Sequence, residues 1–457
     1  MRRSFFPIFA ATLALTFGVI SCSTQKPPGN NALPTESVRT ATMNITPGVE
    51  VLARMALPDG FVPAPDYPPM WLQAGKEIAI AGTRNGHTVV MGYAGIGYRT
   101  ERVIAEDGGV GAPDGTIVDL AVSPDGMVLA LAVNKPKDRR LDVITREVIS
   151  EGAANPVSSF DGEFESVSIG WLGEFIIPLA LRAPAESEAP RAPATAPSGS
   201  ASLPTGAASS GLYTINMSGV VTTGYLKLNC KMSQLSWSPE GIVAVGAGDA
   251  NTPVIILDRE KETCQRLNAQ APIRVLDWAH DSKSFLYAET NRAVGTGIYR
   301  EDLASKTMRL VAISSGAAAF VGNDQVLALG SGALTFRSAH AAPDGPIRAE
   351  VALSNPNGNE TEISLLGFNS TPAMLAASTM TYNRATDTAA IATFGPSTEG
   401  PMRKIVIYSV APKRAFLVAF GPTRGAVAMS WSPRGRYLAI ADGDGTAAAL
   451  TIISPPR

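Results

Sequence analysis

The chain is poor in the residues from which most active sites are built. It has three histidines, His87, His280 and His340, and none stands at metal-ligand spacing from another histidine or a cysteine. Their scatter gives no basis for a zinc site. No Gly-x-Ser-x-Gly elbow, His-Glu-x-x-His pair or Gly-Lys-Ser/Thr phosphate loop occurs, so serine-hydrolase, zinc-protease and P-loop chemistry have no motif here. Charged residues are only 17% of the chain, with a formal net charge of −2 and a pI near 6.0. There is no long run of either sign, and hence no electrostatic footprint for nucleic acid. "GVGAPDG" (109–115) is Gly-rich but precedes a strand-like run rather than a helix, which makes it a turn. "DGDGT" (442–446) lacks the later glutamate of a calcium loop. No metal and no cofactor is implied.

What is present begins at the amino terminus. "MRRSFFPIFAATLALTFGVISCS" has a basic start, Arg2 and Arg3, and an apolar stretch from Phe5 to Ile20. This is the form of an export signal, too short and too early for a spanning helix. Val19-Ile20-Ser21-Cys22 resembles the bacterial lipobox, and a polar, Pro-rich stretch follows it. The resemblance implies cleavage before Cys22, acylation of Cys22, and stable anchoring by two or three acyl chains. Residues 1–21 are then a signal peptide and 22–47 a flexible tether. "RRSFF" also resembles a twin-arginine motif, but the short basic region and the strongly apolar stretch favour export of the unfolded chain. The location expected is the cell envelope: the outer face of the plasma membrane, or the periplasmic face of an outer membrane.

The remainder repeats. "LAVSPDGMVLALAV" (120–133), "LSWSPEGIVAVGAG" (235–248), "LDWAHDSKSFLYAE" (276–289), "MTYNRATDTAAIAT" (380–393) and "MSWSPRGRYLAIADG" (429–443) share one pattern: apolar strand, aromatic, turn, apolar strand. Weaker copies lie at 70–82, 169–181 and 319–331. The turns fall near positions 72, 124, 172, 239, 280, 322, 384 and 433, with two further strand-like runs after most copies. A period of this size with four strands per unit is the mark of a β-propeller. The pattern predicts an all-β propeller of four-stranded blades over 48–457, eight in number, or seven if 319–331 belongs to a neighbour. Trp237, Trp278, Tyr382 and Trp431 precede the turns, where they can pack between neighbouring blades.

These repeats resemble the TolB-type, WD40-like family. That resemblance implies the fold and leaves function open, and the Gly-His and Trp-Asp signature of true WD40 blades is missing. A lipobox before such a propeller is also similar to the LpqB lipoproteins, although the stretch 23–47 leaves no room for the domain those carry before their propeller.

Four local expectations complete the reading. Residues 183–211, rich in Ala, Pro, Ser and Gly, form an inserted loop between the second and third strands of one blade and should be disordered. Residues 339–366 add a hairpin. Cys230 and Cys264 remain once Cys22 carries lipid. Export favours a disulfide between them, whereas strand order puts them at opposite faces of the ring and a bridge needs Cα atoms within about 7 Å. Finally, the last repeat is one strand short, and 48–58 has no repeat of its own. Residues 48–57 should pair with 447–454 and close the ring.

Two function classes follow. One is a non-catalytic, membrane-anchored scaffold that binds a protein partner in the envelope. The other is a propeller enzyme of lactonase, glycosidase or dehydrogenase type, or a solute-sensing propeller. Convergent carboxylates in the channel would favour the enzyme.

Overall fold

The computed structural model describes residues 49–149, 154–173, 175–184, 205–207, 211–217, 219, 221–222, 233–249, 252–258, 260–261, 263–267, 273–291, 295–313, 317–323, 325–329, 334–338, 349–350, 353–354, 360–361, 379–395, 402–409, 414–419, 426–443 and 447–455. Alternation of apolar and polar residues over six to eight positions gives strands rather than helices. Apart from two short 3-10 turns, every named element is a strand.

Among the described residues the strands form eight sheets, most of them antiparallel and four-stranded. In chain order they cover 61–112, 116–161, 166–222, 233–266, 273–313, 318–350, 379–419 and 426–454, and they are called the first to eighth sheets below. Buried clusters are shared by consecutive sheets. Leu72 and Val90 of the first pack with Leu129 and Leu131 of the second, and Ala390 and Ile405 of the seventh pack with Leu438 and Ile440 of the eighth. Ile78 and Ile80 of the first meet Leu450 and Ile452 of the eighth, which brings the series back to its start. The molecule is a β-propeller, and the weak copy at 319–331 has a sheet of its own.

Closure is as the sequence predicts. Glu50–Ala56 pairs antiparallel with Ala449–Ser454, in register from Glu50 opposite Ser454 to Ala56 opposite Ala449. Glu50, Leu52 and Arg54 face outward, whereas Val51, Ala53 and Met55 are half-buried. Val49 joins the cluster between the seventh and eighth sheets, and Leu57 joins the one between the eighth and first.

Both long steps lie where expected. Ile176–Arg182 pairs directly with Gly211–Asn216, so 183–210 is an insertion inside the third sheet. At three residues the structure departs from a disordered loop: Thr205–Ala207 runs parallel to the outer strand Asn155–Asp161 of the second sheet. That edge offers unpaired backbone groups, which any sequence without proline can satisfy. Residues 185–204 lie outside the described residues. The hairpin expected in 339–366 is Leu353–Ser354 with Glu360–Thr361, attached to the seventh sheet through Leu353 and Ala415.

Candidate functional site

The repeated turn explains its own residues. Ser123 Oγ accepts hydrogen bonds from the Met127 and Val128 N–H groups, while Gly126 N–H donates to Ser123 O at 2.8 Å. Ser238 and Ser432 do the same for Val243 and Tyr437. The hydroxyl thus closes the hairpin between the first and second strands. The glycine has two duties. Gly435 has φ +65°, and a Cβ there would lie 2.7 Å from Asn383 Oδ1 of the seventh sheet. Gly126, at φ +73°, would meet Trp71 O of the first sheet at 2.8 Å. Each turn is pressed against the sheet before it, so a side chain at this position is excluded by contact as well as by conformation.

The aromatic before the turn ties one sheet to the previous one. Trp71 Nε1 donates to Ser430 O, Trp171 to Ala121 O, and Trp431 to Thr381 O, at 3.2, 3.1 and 3.2 Å. Trp278 donates to Ser236 Oγ at 3.1 Å. In each case the acceptor immediately precedes the matching position of the earlier sheet. Trp237 Nε1 is buried without a hydrogen-bond partner. The packing role foreseen for Trp278 and Trp431 is what the structure has, with an indole hydrogen bond added.

Two inner-strand carboxylates occupy the seams. Asp119 accepts from the N–H of Ile169 in the next sheet at 2.7 Å, from Leu120 N–H, and from the Tyr67 hydroxyl of the preceding sheet. Asp277 accepts from Phe320 N–H of the next sheet at 2.8 Å and from Trp278 N–H. Burial pushes both carboxyls up; the Tyr67 hydroxyl and backbone N–H groups oppose this at Asp119, and the Arg384 guanidinium with backbone N–H groups opposes it at Asp277. Arg384, on the first turn of the seventh sheet, reaches past the sixth to contact Asp277 Oδ1 at 3.0 Å and the Trp278 carbonyl. Both carboxylates are engaged in holding sheets together, and they lie in different seams rather than facing a common pocket.

The turns themselves are linked from sheet to sheet. Gln73 N–H donates to Gly126 O, Glu240 N–H to Ser282 Oγ, Asp281 N–H to Asn323 Oδ1, and Asn383 Nδ2 to Ser432 O. They make a rim that displays exposed His280, Lys283, Asp387, Arg434 and Arg436. Phe175 stands on the same face, 66% exposed. A positioned surface of mixed charge with one protruding ring is chemically suited to contact with another macromolecule.

Of the site residues read from the sequence, Cys22 and Cys230 lie outside the described residues, as does His340. Cys264 lies on Thr263–Arg266, the outer strand of the fourth sheet, and is disulfide-bonded. His87 starts a strand and His280 occupies a turn, in different sheets. Among the described residues no group of three His, Cys, Asp or Glu is placed to hold a metal ion, and no helix is long and apolar enough to cross a membrane. Asp119, Asp277, Tyr67 and Arg384 were missed by sequence reasoning. An acidic residue on an apolar inner strand was the available signal, but its partners in other sheets stand 43 or more positions away.

No protein-family model and no curated protein match the chain in sequence. Solved structures do resemble it in shape. The Dos1 propeller has a TM-score of 0.50 at 12% identity over 89% of this chain and 95% of its own. The Cps50 (Swd1) β-propeller domain of Myceliophteria thermophila gives 0.42 at 11% identity, over 89% of this chain and 99% of that one. TolB from Acinetobacter baumannii gives 0.34 at 12% identity, over 83% and 64%. At these identities the likeness concerns the fold alone.

Proposed function

We propose that this chain is a lipid-anchored β-propeller of the bacterial envelope that acts as a non-catalytic scaffold for a protein partner. The observation that carries the reading is the linked rim: hydrogen bonds tie the turns of neighbouring sheets at four seams, and the rim presents charge of both signs. The seam carboxylates support it further, because Asp119 and Asp277 have their oxygens occupied by backbone, tyrosine and arginine donors and face no common substrate. The lipobox-like Val19-Ile20-Ser21-Cys22 supplies the anchor in this reading, and 23–47 the tether. Cys230 is the partner proposed for Cys264. Ser23 is not Asp, so by the sorting rule of bacterial lipoproteins a two-membrane cell would place the protein in the outer membrane.

Two experiments test this. Cys22→Ala, followed by fractionation, should release the protein from the membrane; a variant retained like wild type refutes the anchor. Affinity capture of the lipidated protein from its own membrane should bring down an envelope protein. Reversing rim charges (Lys283→Glu, Arg434→Glu and Arg436→Glu together) should abolish that capture. Unchanged capture refutes the rim as the contact surface.

A further inference from the structure

The seam between the fourth and fifth sheets is filled on its inner side by a row of rings. Trp278, Phe285, Tyr287 and Tyr299 follow one another at centroid distances of 5.0, 5.7 and 5.5 Å and pack against Val243, Val245 and Ile256. Two residues beyond Tyr299, on the same face of the strand Gly295–Asp302, comes Glu301. At this point the seam opens into a cleft of about 310 Å³, at the small end of the size range of ligand cavities, roughly 300–1,000 Å³. Ile256, Gln265 and Leu267 line it from the fourth sheet, and Glu301, Leu303, Lys306 and Met308 from the fifth, so its walls mix apolar and polar side chains.

Glu301 is the anomaly in this cleft. It is 5% exposed, and its Oε2 has no hydrogen-bond partner. A buried carboxylate oxygen without a donor is unfavourable by itself. Neighbouring groups do not relieve it. Asp302 turns away, accepting from the Ala304 and Ser305 N–H groups and the Ser305 hydroxyl. Lys306 lines the cleft from an exposed position and makes no ion pair with Glu301. Burial and the charge of Asp302 raise the Glu301 carboxyl to about 7, so a partner that satisfies it would restore its ionised form.

We propose that this cleft binds a small organic cation, an alkyl- or arylalkylammonium. Its nitrogen donates to the Glu301 carboxylate, and its apolar body lies on Ile256, Leu267 and Met308. The chemistry of the walls selects this class. A metal ion would need several oxygen or nitrogen ligands, and Glu301 is the one carboxylate lining the cleft among the described residues. An anion would meet the Glu301 carboxylate, with Lys306 at an exposed position as the one lining cation among the described residues to draw it in. A neutral apolar ligand would cover the walls and leave Oε2 dry and unpaired. An ammonium gives the carboxylate a charge-assisted donor while its chain removes the apolar part of the wall from water.

The test is titration calorimetry on the full chain at pH 8 with hexylammonium and phenethylammonium, against hexan-1-ol and hexanoate. Both ammonium probes should bind at least about tenfold more tightly than the alcohol, the value of one charge-assisted hydrogen bond, and hexanoate should not bind. Glu301→Gln, which keeps the shape and removes the charge, should lose about tenfold for the ammonium probes. Met308→Trp should weaken them by filling the mouth without touching Glu301. The proposal is overturned if neither ammonium binds in the millimolar range, if hexanoate binds as well, or if folded Glu301→Gln binds like wild type. Nα-acetyl-lysine methylamide separates a free amine from a partner's lysyl side chain: tighter binding of that probe than of hexylammonium would refute a free small-molecule ligand.

Discussion

Truncating Leu57 and Leu52 separately measures whether the ring is closed in solution as the structure has it. Leu57 is 5% exposed, its N–H donates to Ala448 O at 2.9 Å, and its side chain lies among Phe61, Trp71, Ile78 and Leu450, where the first and eighth sheets meet. Leu52 is 38% exposed and sits at the irregularity in register between Val51 and Ala53. Leu57→Ala removes a buried side chain and leaves a cavity at a seam between sheets, which costs about 2–4 kcal/mol. Leu52→Ala removes surface contact alone and should stay within about 0.5 kcal/mol. Urea unfolding followed by tryptophan fluorescence should show a lowered midpoint for the first variant, with the slope unchanged, and almost no shift for the second. A one-residue slip of the closing strand would exchange its inner and outer faces. Equal losses, or a larger loss at Leu52, would therefore refute the register and with it the closure.

Three further outcomes follow from the seams. Trp431→Phe should cost about 1–3 kcal/mol because it strands the Thr381 carbonyl, whereas Trp237→Phe should cost distinctly less, since its indole N–H is unpaired; thermal unfolding of the two side by side checks this. Gly435→Ala should destabilise by about 2 kcal/mol, through its positive φ and the approach to Asn383 Oδ1, while the same change at Gly86, at φ +82° with open space around it, should cost about 1 kcal/mol. Glu301 has a folded pKa raised from 4.5 to about 7. The folded state therefore holds its proton more tightly than the unfolded one, and this residue's contribution to stability falls as pH rises from about 4.5 to 7. Glu301→Gln should be close to neutral at pH 4.5 and stabilising by up to about 3 kcal/mol at pH 8; denaturation at both pH values measures the difference.

The ring was legible because its defining features are local. A serine that closes a hairpin, a glycine that fits under the preceding sheet and an indole before the turn all fall within a few residues of one another, and they recur. The closing strand was legible for a related reason: Glu50 and Arg54 alternate with Val51, Ala53 and Met55, and no repeat claimed them. The seam chemistry was hidden because its partners are distant. Tyr67 and Ile169 approach Asp119 from different sheets, and nothing in "TIVDLAV" (116–122) announces either of them. The inner strand of the first sheet is also split, into Phe61–Pro63 and Met70–Leu72, which blurs the repeat at its start. Strand addition by Thr205–Ala207 left no trace at all, because it depends on a vacant edge elsewhere and not on the side chains that fill it.

The origin of the closing strand has a consequence for biogenesis. Glu50–Ala56 is synthesised before every other described strand, and its partner Ala449–Ser454 after all the others. The earliest strand thus waits through the synthesis of the whole ring, and no partly made chain can seal it. Such end-to-end pairing slows the final step of folding and leaves sheet edges open in the interval. Glu50 and Arg54 on the waiting strand discourage a wrong partner during that time, so the same two charges that mark its outer face also guard it until its proper neighbour emerges.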